Sequence, residues 1–287
     1  MLRKEFAFVG GCLLLLAVAS VGKCAEQAVQ FRQQAAHVGD QVGQKLAINL
    51  DVNTTIVQSG QIAHQDRVKV RRRQDRLIEV LEVDQGKVRR ARVSFPHSRQ
   101  QSPDNQDPTE PEVQPVEGKS YLVERSGEQL FVTDPQGTIP LQNEFEIVVN
   151  SVQTLGLPNP LAKILLQRTV HVGDRIELPS ELAEPIMGLG DSLGKVQKFE
   201  LELKELLMVD AQRCALFDAT IEIRGRRGDP TEVDIDGSIT IQTDTCRTIE
   251  AKLAGPLHMT AAEQSYQVTA AGEFRVAIRS HYGSEKK

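Results

Sequence analysis

Apolar and polar residues take turns along much of this chain. Phe199, Leu201 and Leu203 share one side of an extended backbone, with Glu200, Glu202 and Lys204 on the other. Phe217, Ala219, Ile221 and Ile223 alternate with Asp218, Thr220 and Glu222. Val233, Ile235, Ile239 and Ile241 alternate with Asp234, Asp236, Thr240 and Gln242, and Phe274, Val276 and Ile278 with Arg275 and Arg279. A period of two with one wet and one dry face predicts antiparallel sheet covered on one side. Turn residues separate the runs at Asp84-Gln85-Gly86, Ser126-Gly127, 226–230 and Asp244-Thr245. These breaks predict short meandering hairpins and no βαβ units.

The pattern repeats. His37-Val38-Gly39-Asp40 returns as His171-Val172-Gly173-Asp174, and Leu81-x-Val83-Asp84-x-x-Lys87 returns as Leu207-x-Val209-Asp210-x-x-Arg213. A hairpin over 118–134 has its counterpart over 237–254. Matches in the same order predict two tandem copies of one β-rich unit. The expected class is mainly β, with curved antiparallel sheets or half-barrels. The first repeat is placed at 26–139, a helical connector at 140–169 and the second repeat at 170–287.

Three helices interrupt the strands. Leu141, Phe145, Val148, Val149 and Val152 lie on one helical face, and Gly156 and Pro158 end it. Pro160 opens a second short helix through Leu166. A third is expected from Glu181 to Gly188, with Ser180 as its N-cap. Residues 96–118 carry five prolines and many Gln, Asp and Glu residues. They read as a disordered loop that cannot bury enough apolar surface to offset its ordering entropy.

The first 25 residues carry a basic start at Arg3-Lys4, an apolar run from Phe6 to Val21 and small residues after it. That is the layout of a secretory signal peptide, cut after Gly22 or Ala25. Its apolar run is at the short end of the about 17–25 residues that span a bilayer, so export is expected rather than an anchor. The pair of Lys23 and Cys24 argues against a lipoprotein, because the residue before a lipidated cysteine should be small. Pairing Ile221 with Ile239 would put Cys214 opposite Cys246, which makes them a disulfide candidate in an oxidising compartment. Two free thiols are the alternative.

The formal net charge of −5, with Trp absent and only 3 Tyr, argues against nucleic acid and against an aromatic sugar platform. No glycine-rich phosphate loop follows a strand, and the six histidines lack metal-ligand spacing, so neither cofactor nor metal is expected. Arg71, Arg72, Arg73, Arg89, Arg90 and Arg92 lie on neighbouring strands. They form either a basic face for anionic headgroups or a solvated face neutralised by Glu79 and Glu82.

Gly190-Asp191-Ser192-Leu193-Gly194 matches the nucleophile elbow and spells the signature of GDSL-type esterases. The elbow needs a strand before the serine and a helix after it. Here a helix precedes and a strand follows, and neither His258 nor His281 has an acidic residue three positions earlier. No catalytic residue is assigned, and an esterase through Ser192 is the remote alternative.

Hairpins such as Gly237-Ser238-Ile239-Thr240-Ile241-Gln242, turning through Asp244-Thr245 into Arg247-Thr248-Ile249-Glu250-Ala251, resemble exported bacterial proteins built as β-meanders. They are also similar to half-barrel lipid carriers of the LolA/LppX type. The resemblance implies a curved antiparallel sheet with an apolar concave face under the central helices. The expectation is an exported, non-enzymatic binding or carrier module of the cell envelope. Its partner would be a lipid, a hydrophobic segment or an envelope protein. Phe199, Leu201, Phe217, Ile221, Ile239 and Ile241 would line the binding face. If these side chains are sealed in a dry core, that groove does not exist. A closed core with an exposed apolar patch would favour a structural or scaffolding protein instead.

Overall fold

The computed structural model describes residues 27–102, 110–187, 195–225, 231–263 and 266–284. The expected leader at 1–25 and the Ser192 motif lie outside the described residues.

The first half runs β1 (Ala28–Gln30), β2 (Asp40–Gln58), β3 (Gln61–Asp84), β4 (Lys87–Gln101), β5 (Glu112–Val113), β6 (Ser120–Ser126) and β7 (Gln129–Thr133). Two helices follow, α1 (Gln142–Ser151) and α2 (Pro160–Leu165). The second half runs β8 (Thr169–His171), β9 (Arg175–Glu177), α3 (Ser180–Met187), β10 (Lys195–Val209), β11 (Gln212–Arg224), β12 (Glu232–Gln242), β13 (Thr248–Glu263) and β14 (Tyr266–Ser284). The three helices fall within a residue or two of the expected spans.

Twelve of these strands form one antiparallel sheet, ordered β7-β6-β4-β3-β2-β14-β13-β12-β11-β10-β9, with β5 added beside β4. The sheet ends at β7 and β9 and does not close into a barrel. The halves join where β14 pairs β2 along its whole length, from Tyr266 opposite Gln58 to Ser284 opposite Asp40. β1 and β8 form a separate two-stranded ribbon.

Curvature has an identifiable source. Gly237, Gly255 and Gly272 sit on consecutive strands β12, β13 and β14, at inward-facing positions. A Cβ on Gly255 would lie 1.8 Å from the Asp234 carbonyl oxygen, and one on Gly237 would lie 1.9 Å from that of Lys252. Neighbouring backbones therefore approach closer than any side chain allows, as where a sheet bends sharply.

The two His-Val-Gly-Asp segments fold alike. The Asp40 carboxylate accepts from His37 N at 3.1 Å, and the Asp174 carboxylate accepts from His171 N at 2.8 Å. Gly39 donates to the Val80 carbonyl at 2.9 Å, and Gly173 to that of Leu203 at 2.7 Å. The aspartates thus cap turns that start β2 and β9.

Among the described residues, two separate cores form on the inner face. The larger joins β9–β13 to α2, α3 and the N-terminal segment, where the Phe31 and Phe217 rings stack with centroids 6.1 Å apart. Thus residues 28–32, expected with the first repeat, pack in the second half. The smaller core joins Val93, Phe95, Tyr121, Val123 and Val132 to Val148 of α1 and to Val152 just after it. The expected central helical pair is divided: α1 lies in one core and α2 in the other, so the helices cover the flanks of the sheet rather than its middle.

Two expectations are corrected here. Residues 96–118 are not a disordered loop where they are described. β4 runs on to Gln101, and Gln114 N donates to the Ser98 carbonyl at 2.8 Å. Glu117 accepts from Ser98 N at 2.7 Å, and Val116 is fully buried. Side-chain acceptors and one anchoring valine order a segment whose composition looks unfoldable; 103–109 lie outside the described residues. Cys214 and Cys246 are not bridged; both are free and buried. The β11–β12 ladder pairs Ile221 with Ile235 and Cys214 with Gln242, so Cys246 falls in the turn beyond the strand. Burial pushes the Cys246 thiol up to about 11 and raises that of Cys214.

Candidate functional site

The six apolar residues expected to line a groove are sealed. Phe199, Leu201, Phe217, Ile221 and Ile241 have no exposed surface, and Ile239 retains 4%. They are the dry interior of the larger core, and no ligand can lie on them without unfolding it. The apolar surface that remains open lies one strand pair further along.

Rows of inward-facing residues cross most of the sheet, from β9 to β4. One runs Ile176, Leu201, Ala219, Gly237, Leu253, Val276, Ile48, Arg72 and Gln100. The next includes Ile278, Leu46 and Gln74. Leu46, Ile48, Val276 and Ile278 belong to neither core and are only half-buried. They form a band on the middle strands β2 and β14. Val70 borders it on β3, and Leu50, Leu253 and Phe274 lead from it into the larger core.

On β3 the band gives way to polar side chains. Residues two apart on a strand face the same way. So Arg72, Gln74 and Arg76 face inward with Val70 and Ile78, whereas Arg71 and Arg73 face outward and are exposed. The expected single basic face is therefore split, because sequence neighbours point to opposite sides. Its outer part is largely paired. Arg89 pairs with Glu82 at 3.1 Å and Glu124 at 3.4 Å, and Arg92 with Glu79 at 2.8 Å. Arg90 stands opposite Glu82 and Glu124 in the ladder.

The inner arginines differ from each other. Arg76 donates through Nε to Gln44 Oε1 at 2.8 Å and through Nη1 to the Ser151 carbonyl. Arg125 of β6 reaches the carbonyls of Gln153 and Leu155. Arg76 thus meets the carbonyl end of α1, which suits its partial negative charge, and Arg125 the turn that follows it. Gln74 is buried, donates to Ser98 Oγ at 3.0 Å and accepts from Ser151 Oγ at 3.1 Å. Burial draws Arg76 down to about 10, and the positive charge of Arg72 adds to the effect. Arg72 is lowered by burial as well, and its Nε is buried without a partner. Among the described residues, neither guanidinium pairs with a carboxylate.

At the far end of the small core, Glu144 is 7% exposed. It accepts from Tyr121 Oη at 2.6 Å and from Lys119 Nζ at 2.8 Å. The Lys119 ammonium, then the Tyr121 hydroxyl, hold its carboxyl below the usual carboxylate range. Burial, reinforced by Glu144, raises the Tyr121 hydroxyl. This cluster ties α1 to β6 through the Glu144–Tyr121 hydrogen bond.

The opposite, outer face has an open hollow of about 740 Å³ lined by Asn49, Asp218, Asp236, Ser238, Lys252 and Arg275 among others. Its charges are mostly satisfied locally: Asp218 by Lys204 at 3.3 Å, Lys252 by Glu250 at 2.8 Å and Arg275 by Glu273 at 2.7 Å. It has the character of a solvated polar surface.

No family model matches the chain. No curated protein matches it. A solved structure titled "Lipid-protein interactions in lipovitellin" is similar over 88% of this chain at 8% identity, with a TM-score of 0.37. This chain covers 26% of that longer one. A likeness this weak carries no argument about function.

The inward arginines are a signal the sequence reading passed over. Val68, Val70, Arg72, Gln74, Arg76, Ile78 and Val80 form one alternating run in which polar residues replace apolar ones at three positions. Counting by twos places Arg72 and Arg76 on the apolar side. Leu46, Ile48 and Leu50 alternate with Lys45 and Asn49 in the same way.

Proposed function

We propose that this protein is an exported, non-catalytic binding module that holds the acyl chain of a lipid along the band formed by Leu46, Ile48, Val276 and Ile278. The observation that carries this reading is the band itself. It is a contiguous apolar strip at the centre of a curved sheet, flanked by two closed cores and, among the described residues, covered by no helix. Removing such a strip from water gains roughly 25 cal/mol per Å² of apolar area covered. An extended acyl chain fits a strip that crosses strands, because it needs no hydrogen bonds from the backbone. Export is proposed on the basic, apolar and small-residue pattern of 1–25, and a non-catalytic role on the mismatch between the Ser192 sequence context and a nucleophile elbow.

Native mass spectrometry of the protein after exposure to phospholipid vesicles tests this. Discrete lipid adducts are expected, and Val276→Asp should abolish them while leaving the melting transition in place. Failure of the unsubstituted protein to take up lipid would overturn the reading.

A second reading is a scaffold that presents surface to a protein partner. The sealing of Phe199, Leu201, Phe217, Ile221, Ile239 and Ile241 favours it, together with exposed Ile139 and Leu141 before α1. It predicts self-association by sedimentation that Ile139→Ser weakens, without lipid uptake.

A further inference from the structure

Arg72 and Arg76 stand on the same face of β3, four residues and so about 13 Å apart. They differ in one respect. Arg76 is supplied with acceptors, Gln44 Oε1 and the Ser151 carbonyl. For Arg72 no such acceptor is found among the described residues: its Nε is buried and unpartnered, and no carboxylate there pairs with it. Its ladder neighbour Gln100 has its amide oxygen engaged by Gln114 Nε2 at 3.2 Å. Its other neighbour is Ile48, a member of the open band.

A half-buried charge without a counterion is costly, and such charges in proteins are normally paired. Arg76 adds like charge nearby and so raises the positive potential at the end of the band. A guanidinium presents a planar fork of donors that matches a carboxylate or phosphate. The molecule that complements this surface has an apolar tail and an anionic head.

We infer that Arg72 is the head-group site for an anionic amphiphile whose acyl chain lies on Ile48, Val276 and their neighbours. This rests on the proposed use of the band and adds the class of ligand and its orientation. The head sits at β3, beside the α1 end of the small core, and the tail runs across β2 and β14 toward Leu253. A neutral lipid of the same length covers the same apolar area but leaves Arg72 unpaired. Discrimination should therefore be set by the head.

The test is a fluorescence titration of the full chain with cis-parinaric acid and with its methyl ester, which shares the tail and lacks the charge. The acid should bind about tenfold tighter, the size expected for a charge-assisted hydrogen bond. Arg72→Gln should bring the acid down to the ester and leave the ester unchanged; Arg72→Lys should recover part of the difference. Added salt should weaken the acid and not the ester. Equal binding of acid and ester by the unsubstituted protein, a comparison that needs no variant, would overturn the inference and leave the band intact. Binding of neither probe would remove the band as a ligand site, and the head-group site with it.

Discussion

Counting back by twos from the residue that accepts the turn glycine's N–H gives Leu203, Leu201 and Phe199 on β10, and Val80, Ile78 and Arg76 on β3. The positions correspond, but the outcomes do not. On β10 all three side chains are sealed, and α2 and α3 close over them. On β3 the third is an arginine, and Gln74 and Arg72 continue the polar run. An apolar lid cannot close over these groups, because each needs an acceptor or donor of its own. The carbonyl end of α1 supplies some of them and stops short of Arg72. One half of the sheet is therefore a finished core. The other ends in a polar margin, and the apolar middle between them stays open.

The largest effect expected in breaking this comparison is in the finished core. Phe199→Ala should cost about 3–5 kcal/mol by denaturant unfolding, since it leaves a cavity among residues that cannot collapse. The corresponding Arg76→Met should stay within about 2 kcal/mol, because an apolar side chain of similar length replaces a partly desolvated charge. A large loss there, equal to that of Phe199→Ala, would mean that the polar margin is as closed as the core.

Next comes the bend between the halves. Gly255→Ala should cost about 2–3 kcal/mol, since its Cβ meets the Asp234 carbonyl and β12 or β13 must shift. A neutral result, by thermal melting, would remove the glycine line as the source of curvature.

The small core offers a pH test. Glu144 has its folded-state carboxyl held down by Lys119 and Tyr121. Its stabilisation is therefore complete above its unfolded value, near 4.5, and is lost as pH falls through the lower folded value. Glu144→Gln should destabilise by about 1–2 kcal/mol at neutral pH and flatten this part of the acid limb. An acid limb identical in both proteins would contradict the assignment.

The smallest effects belong to the open band. Val276→Ala and Ile48→Val should each cost about 0.5–1 kcal/mol, because side chains already half in water lose little on truncation. Alkylation sharpens the same contrast: Cys214 and Cys246 should react with iodoacetamide slowly until the sheet unfolds, since both are buried and both thiols are raised.

The alternation over 199–203 and 217–223 was enough to read the strands, the single dry face and the antiparallel class. Helix starts were legible at Pro160, where Asn159 accepts from Leu161 N at 3.0 Å. What was not legible depended on pairing at a distance. The β11–β12 register is shifted by about four residues from the one the apolar pattern suggested, with Ile235 rather than Ile239 opposite Ile221, and that moved Cys246 away from Cys214. The order of 110–118 comes from Ser98, Gln114 and Glu117 meeting across the chain, which composition cannot register. For the site, the sequence pointed to the most apolar strands, yet those are the ones that helices cover. A ligand surface is the apolar area left uncovered, and that depends on where α1 and α2 come to rest.

The most direct measurement is photo-crosslinking of the full chain with a diazirine-bearing stearic acid, mapped by peptide sequencing. The account predicts saturable labelling confined to 44–52, 68–76 and 272–280, with the chain's head end nearest Arg72. Labelling on β10 and β11, or labelling that spreads over the outer face without saturating, would contradict it.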